Sequence, residues 1–370
     1  MDTNMKRAWL LGVAALAVVS GAAFAQDAKY PITITPPGKG PYTFPEGYKT
    51  PWDKVTITVT EKLAPNLYVL HGNAGVDAAH PDASGGRVAV LFGPDGVLMV
   101  DTENAPVAEK TLAAIRIFSD APIKIVVNSH AHGDHVGGNA FFAKQGALIL
   151  AQENLREEMM PNPDAPPRPA GAPAVAPVDP ASLRMGLPVE TYKYDPATEG
   201  KPAMTIHMDG EAVDLIPMMP SHMAGDTVVR FEKANVIYIE DFYRNFGYPF
   251  ADQANGGSIN GMLRAIDLLE KLADDKTVLV PGHGTLIYKK DMLPYRKMLL
   301  EVLAKVKTLR DQGKSLKDVL AMNLTQPYDA VTLGDVQSSK DRFITEAYNE
   351  VAPGGLPPVV HGRRKMPASF

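Results

Sequence analysis

The chain contains no cysteine. That absence excludes a disulfide framework, a lipid anchor built on cysteine, and thiolate as a metal ligand, so any metal must be held by histidine and carboxylate. Basic clusters are equally scarce. Apart from Arg363, Arg364 and Lys365 near the C-terminus there is none, and with a formal net charge of -5 the chain carries no electrostatic footprint for nucleic acid. Apolar runs are short as well. Lys6 and Arg7 precede an Ala/Leu/Val-rich run from Ala8 to Val19, below the roughly 20 strongly apolar residues that a membrane span needs. Ala23-Phe24-Ala25 then places small residues at both positions an exporting signal peptidase checks. The reading is a signal peptide over 1–25, cleaved after Ala25, and a periplasmic protein with no membrane attachment after cleavage.

What is present is a chain of 370 residues, 45% hydrophobic and 21% charged, enough for a large buried core. Residues 26–54 are rich in Pro and Gly and read as an extended arm. The folded domain is expected over 55–325, with a C-terminal extension over 326–370. "VTITVTEKLAPNLYVLHG" alternates apolar and polar residues, and "GRVAVLFGPDGVLMVDT" places two strands around the turn signal Pro94-Asp95-Gly96. "VAEKTLAAIRIF" reads as helix, "IKIVVNS" as a buried strand, "NAFFAKQG" as helix and "ALILA" as a strand. Residues 161–180 hold eight prolines and form an inserted loop.

A second set of strands is expected at Met204–Met208, Val213–Ile216, Thr227–Phe231 and Val236–Ile239, then a helix over 259–273 and a strand in "TVLVPGHG". A long helix from Tyr295 to Gln312 ends at Gly313, and Ser315 with Asp318 starts another through a capping box. Two successive strand-rich halves with helices outside them make an α/β protein, a four-layer αββα sandwich of two mixed sheets.

The chemistry is concentrated in "NSHAHGDHVGG", residues 128–138, which spends three of nine histidines in six positions. A catalytic zinc takes three protein ligands and keeps one position open. At a strand end His130 and His132 point the same way and can converge on one ion, while Asp134 and His135 in the following turn can aim at a neighbouring one.

The string His130, His132, Asp134, His135 resembles the signature of the metallo-β-lactamase superfamily, and the resemblance continues in order through His222 in "PSHMAGDTVV", Asp241 in "VIYIEDFY" and His283 in "PGHG". Strand-terminal Asp101 in "VLMVDT" matches the family's structural aspartate. The resemblance covers about residues 55–290 and implies the metallo-β-lactamase fold. It also implies that His130, His132 and His222 hold one Zn2+, that Asp134, His135 and His283 hold a second, and that Asp241 bridges them. Asp134 is in addition the candidate catalytic residue, orienting the metal-bound hydroxide. Iron and manganese accept the same donors.

Other residues carry less. Asp101 reads either as a support for the ligand loops or as a strand-end cap, and Asp226 as a group that orients a ligand imidazole. His71 and His80 flank a Gly-containing loop and read either as substrate contacts or, in preference, as exposed loop histidines. His207 and His361 receive no role. Tyr243, Arg244 and Tyr248 follow Asp241 closely enough to line a pocket. Two departures from the family pattern stand out: Glu240 where Gly usually precedes the bridging Asp, and Met223 where Thr often follows the third His.

An Asp at position 241 resembles thioesterases and lactonases of the superfamily more than its β-lactamases, whereas export favours the latter. The leading expectation is an exported dinuclear zinc hydrolase acting on a lactam, lactone, ester or thioester in a small-molecule substrate. The alternatives are a β-lactamase proper, a mononuclear iron persulfide dioxygenase, and a non-catalytic metal-binding protein. No residue pattern speaks to an oligomeric state.

Overall fold

A computed structural model of the chain describes residues 52–72, 85–161, 179–244, 248–329 and 337–356. The signal-peptide segment, nearly all of the N-terminal arm, His80, His361 and most of the Pro-rich insertion lie outside the described residues.

The first half builds a seven-stranded sheet whose spatial order is the chain order. Its strands are β1 (Ile57–Ala64), β2 (Leu67–Gly72), β3 (Val88–Gly93), β4 (Gly96–Val100), β5 (Ile123–Val127), β6 (Leu148–Gln152) and β7 (Glu190–Tyr192). The first four pair antiparallel, with short turns from β1 to β2 and from β3 to β4, and β4 to β7 pair parallel because helices intervene. Those helices are α1 (Ala108–Ile115), α2 (Gly133–Val136), α3 (Asn139–Lys144), α4 (Glu153–Met159) and α5 (Pro180–Gly186).

The second sheet holds β8 (Met204–Met208), β9 (Glu211–Pro217), β10 (Thr227–Phe231), β11 (Val236–Glu240) and β12 (Val278–Pro281), in the order β12-β11-β10-β9-β8. It too is mixed, since β11 and β12 run parallel around α6 (Ile259–Leu272). Then come α7 (Lys289–Asp311), α8 (Leu316–Leu320) and α9 (Gln337–Glu350). None of the described helices is long and apolar enough to cross a membrane.

Period-2 patterning explains the layers. On β4, Val97 and Met99 face α1 and α3 in one core, while Leu98 and Val100, equally buried, face the other way. On β11, Ile237 and Ile239 face α6, α7 and α9 in a second core, and Tyr238 points back between the sheets. Its hydroxyl donates to Asp101 beyond the end of β4, at 2.9 Å. Strands covered on both faces read as near-continuous apolar runs, as these do. The four-layer αββα sandwich expected from the sequence is the observed architecture.

The differences from the sequence reading have local causes. Proline 180, placed in a loop, is the first residue of α5, and Asp179 caps that helix by accepting from Ser182 N–H at 2.9 Å. Helix α7 starts six residues before Tyr295 and carries Pro294 in its second turn, where a missing N–H forfeits one bond only. Its start is fixed by Asp291, which accepts from Tyr288 N–H at 2.9 Å. Helix α9 was not anticipated. It lies in the C-terminal extension, and its Phe343, Ile344 and Ala347 join the core shared by α6 and α7.

Candidate metal centre

Six of the seven expected ligands follow the ends of parallel strands, and His222 joins them from an antiparallel connection. Beyond the carboxyl end of β5 come His130 and His132, and α2 carries Asp134 and His135. Asp241 follows β11 and His283 follows β12, while His222 lies in the connection from β9 to β10. Because β11 and β12 are parallel, their ends bring Asp241 and His283 to one edge. Crevices outside the carboxyl ends of strands are where open α/β sheets bind ligands.

The side chains form three overlapping trios, each with donor atoms within 4.8 Å of one another: His130, His132 and His222; Asp134, His135 and His283; and His130, His135 and Asp241. The third trio joins one histidine from each of the other two to Asp241. Asp241 Oδ2 lies 3.3 Å from His283 Nε2 and 3.9 Å from His222 Nε2. One local expectation is corrected. His130 and His132 do not alternate on a strand, since β5 ends at Val127; they converge from an irregular segment, with ring centroids 5.0 Å apart.

Outer hydrogen bonds fix which nitrogen of four imidazoles faces inward. His135 Nδ1 donates to Asp101 Oδ2 at 2.8 Å, so Nε2 is the acceptor and faces His283 Nε2 at 3.2 Å. His222 Nδ1 donates to the Phe250 carbonyl at 2.8 Å. His132 uses the opposite tautomer: Nε2 donates to Asp252 Oδ2 at 3.0 Å, and Nδ1 faces His222 Nε2. Ser129 Oγ donates to Asp101 at 2.6 Å, so it accepts from His130 Nδ1 at 3.1 Å. His130 Nε2 is then buried with its lone pair unpartnered among the described residues, and so is Asp241 Oδ1. Inward lone pairs, outward N–H groups and orphaned buried donors are what divalent cations require of such a site. The residues present fit the metal that the donor set implies.

Electrostatics separates the two sides. Burial, with His132 beside it, pulls His222 down to about 3. Burial acts the same way on His135, yet Asp134, Asp101 and Asp241 outweigh it and raise that imidazole to about 10. The Asp241 carboxyl would be raised by burial, but His283, His135 and His222 hold it below the ordinary carboxylate range. The carboxylate charge is therefore gathered around His135, whereas burial keeps His222 neutral.

The supporting residues resolve the readings left open above. Asp101 touches His135 directly. It is wholly buried and accepts from Ser129 N–H, Ser129 Oγ, His135 Nδ1 and Tyr238 OH. Asp226 does not touch an imidazole. Its Oδ2 instead accepts from the backbone N–H of Ser221, His222 and Met223, shaping the loop from below. Met223, in place of Thr, accepts from Ala131 N–H through Sδ at 3.4 Å. Glu240 adopts φ 48, a left-handed conformation that explains why Gly suits the position. Its carboxylate repays that by accepting from the N–H groups of Asp241 and Phe242.

Other expectations fail. His71 is buried in β2 and is not an exposed loop residue. Tyr243 packs on Tyr295 in the core, and the Tyr248 hydroxyl donates to the Thr325 carbonyl, so neither ring serves the metal edge. His207 is exposed on β8. Sequence reasoning missed Asp252, Phe250 and Ser129. Asp252 is 120 positions from His132 and gives no spacing signal.

A sequence model of the metallo-beta-lactamase superfamily matches residues 82–283, more than half of the chain. The chain belongs to the metallo-β-lactamase superfamily. Among curated relatives of this superfamily member, a linear primary-alkylsulfatase from Pseudomonas sp. (strain ATCC 19151) is 39% identical over 78 residues, covering 19% of this chain and 15% of the relative. Its match to that relative thus spans a small part of the relative's length. Among solved structures, the stereoselective inverting sec-alkylsulfatase Pisa1 from Pseudomonas sp. superposes with a TM-score of 0.54 at 16% identity, over 80% of this chain and 50% of that one. A metallo-beta-lactamase from Pontibacter korlensis gives a TM-score of 0.48 at 16% identity, over 66% and 99% of the two chains.

Proposed function

We propose that this superfamily member is a binuclear zinc hydrolase, exported to the periplasm, that opens a lactam, lactone, ester or thioester bond in a small molecule. The observation that carries the reading is the orientation of four imidazoles by outer partners, with Asp241 between the two trios they form. His130, His132 and His222 would hold one cation, Asp134, His135 and His283 the other, and Asp241 would touch both. Two divalent cations at these positions supply the concentrated positive charge that acidifies water and polarises a scissile bond.

The chain's own residues do the rest. Asp134 is 32% exposed at its side chain, the more open of the two carboxylate ligands, while Asp241 is 5% exposed. Asp134 is thus the acceptor placed to orient an attacking water. Its Oδ2 stays 3.1 Å from His283 Nε2, which restrains it in that direction. His130, His132, His135 and His222 keep their N–H groups pointed outward, so the nitrogens that face the inner edge are acceptors.

A second reading of the same site, hydrolysis of an alkyl sulfate ester, draws support from the segment shared with the linear primary-alkylsulfatase. A sulfate ester would present the same edge with an anionic centre, which two cations accommodate.

The test is metal analysis of native protein followed by turnover of a cephalosporin, a lactone, a thioester and a primary alkyl sulfate by zinc-loaded enzyme. His132→Ala is the control. The reading expects close to two metals per chain and activity on one arm that the variant loses. One iron per chain with oxygen consumption on a persulfide and no hydrolysis would replace it with the dioxygenase. Sequencing the N-terminus of the exported protein checks cleavage after Ala25.

A further inference from the structure

The loop from Tyr248 to Gly257 supplies both outer partners of the three-histidine trio on its exposed side: Asp252 to His132 and the Phe250 carbonyl to His222. Phe250 also lies flat against His132, with ring centroids 5.7 Å apart and planes at 10°. Among the described residues His135 is oriented instead by Asp101 at the end of β4.

The loop is tied on one side to the His222 segment, where Asp252 N–H donates to the His222 carbonyl at 2.7 Å and Ala224 N–H to the Asn255 carbonyl at 2.8 Å. On the other side it is tied to α9. Tyr248 N–H donates to Ser339 Oγ at 3.0 Å. The Arg342 guanidinium sits over the Phe250 ring, 4.3 Å from its centroid. Glu346 Oε2 accepts from Ala251 N–H at 3.0 Å, and the Glu346 carbonyl accepts from Gln253 Nε2 at 2.9 Å. Glu350 accepts from Ser258 Oγ, Ile259 N–H and Asn260 N–H, which closes the loop where α6 begins. Residues 339, 342, 346 and 350 recur at spacings of three and four, so they share one face of the helix. That polar face is spent on one loop, while Phe343, Ile344 and Ala347 on the adjoining side anchor the helix in the core. Helix α9 lies outside residues 82–283, where the superfamily match ends.

We propose that α9 is a positioning element for one of the two metal positions. By fixing the loop it sets Asp252 on His132 and the Phe250 carbonyl on His222, and so tunes the affinity of the His130, His132, His222 position. It touches none of those three ligands. The Asp134, His135, His283 position is oriented from β4 and is independent of it. This inference rests on the binuclear reading above.

The experiment uses the full chain, stripped with a chelator and titrated with Co2+. It follows stoichiometry, visible absorption and the hyperfine-shifted imidazole N–H resonances in wild type, Glu346→Ala and Glu346→Gln. Glu346→Ala is expected to weaken one position by about tenfold or more, in the range seen when partners of ligand histidines are removed. The second position should stay within twofold, and the shifted N–H signals of His132 and His222 should exchange faster while that of His135 holds. Glu346→Gln keeps an acceptor for Ala251 N–H and should restore the wild-type titration. If Glu346→Ala does not yield folded protein, Arg342→Met removes the cation over Phe250 and serves the same comparison.

Two unchanged positions in the variants, or two positions weakened alike in step with a lowered Tm, would overturn the proposal while leaving the binuclear reading intact. A wild type that takes up a single cation would overturn both.

Discussion

Asp252 Oδ2 and His132 Nε2 are 3.0 Å apart, on the side of the ring opposite the nitrogen that faces His222. This bond selects the minority tautomer of the site. Without it, His132 is free to rotate or to protonate Nδ1, and its lone pair no longer meets those of His130 and His222. Asn255 Nδ2, 2.7 Å from the same oxygen, fixes the carboxylate in turn. Asp252→Ala is therefore expected to cost about 10- to 100-fold in zinc affinity. Competition against a chromophoric chelator measures it, and a change below twofold would show that the bond does not orient the ligand.

Asp101 leads to a prediction about stability as well as metal. Four donors converge on a carboxylate with no solvent access, and Tyr238 OH ties it to the opposite sheet. Asp101→Asn keeps the shape but turns one acceptor oxygen into a donor facing other donors. A broken buried network of this kind costs on the order of 3 kcal/mol. The metal-free variant should unfold at clearly lower denaturant than wild type, and the loaded variant should lose affinity at the position His135 serves. Unfolding midpoints that coincide would argue that Asp101 is only a strand-end cap.

These two aspartates show what the sequence could and could not disclose. Ligands clustered at strand ends, from His130 to His283, were legible because metal chemistry restricts residue type and the strands announce themselves by their apolar runs. Asp101 was legible as a position but not as a contact. Asp252 was not legible at all, since its role depends on a loop returning from a distant part of the chain. Helix α9 escaped for a related reason. Its inward face alternates Phe343, Ile344 and Ala347 with Lys340, Glu346 and Glu350, which are themselves buried, so its periodicity is blurred by polar residues doing structural duty. The start of α7 was obscured by Pro294, a breaker signal that the second helical turn tolerates.

Glu346 makes a pH prediction. Burial, against the help of Ala251 N–H and Arg342, raises its carboxyl from 4.5 to about 8. The folded chain then keeps the proton over a range where the unfolded chain has released it. Stability falls with rising pH wherever the native state binds more protons, so the loss runs from about pH 4.5 to 8 and levels off above it. Glu346→Gln removes the titration. Relative to wild type it should gain on the order of 1 kcal/mol or more at pH 8 and nothing near pH 4.5. Paired denaturant curves at the two pH values decide it; a difference that is the same at both would place the carboxyl at its ordinary value.

Gly282 tests the spacing between the two trios from the backbone side. It follows β12 directly, and its N–H donates to the Glu240 carbonyl at 2.9 Å, which pins the end of β12 to the end of β11. A Cβ there would lie 2.2 Å from Asp241 Oδ1 and 3.0 Å from His135 Cε1. His135 is held by its bond to Asp101, and the Asp241 backbone N–H by Glu240, so the Asp241 carboxylate is the group that gives way. In Gly282→Ala the added methyl must therefore push Asp241 out from between the histidines. The expected result is a folded protein that binds less than two metals and loses about 100-fold or more in turnover, since displacements near 1 Å have consequences of that size. Gly313 provides the contrast. It also precedes a turn, but nothing lies within 4 Å of its would-be Cβ, so Gly313→Ala should lower stability through its φ of 79 and leave metal content alone. Should Gly282→Ala retain two metals and full turnover, the close approach of β12 to Asp241 is not what sets the distance between the cations.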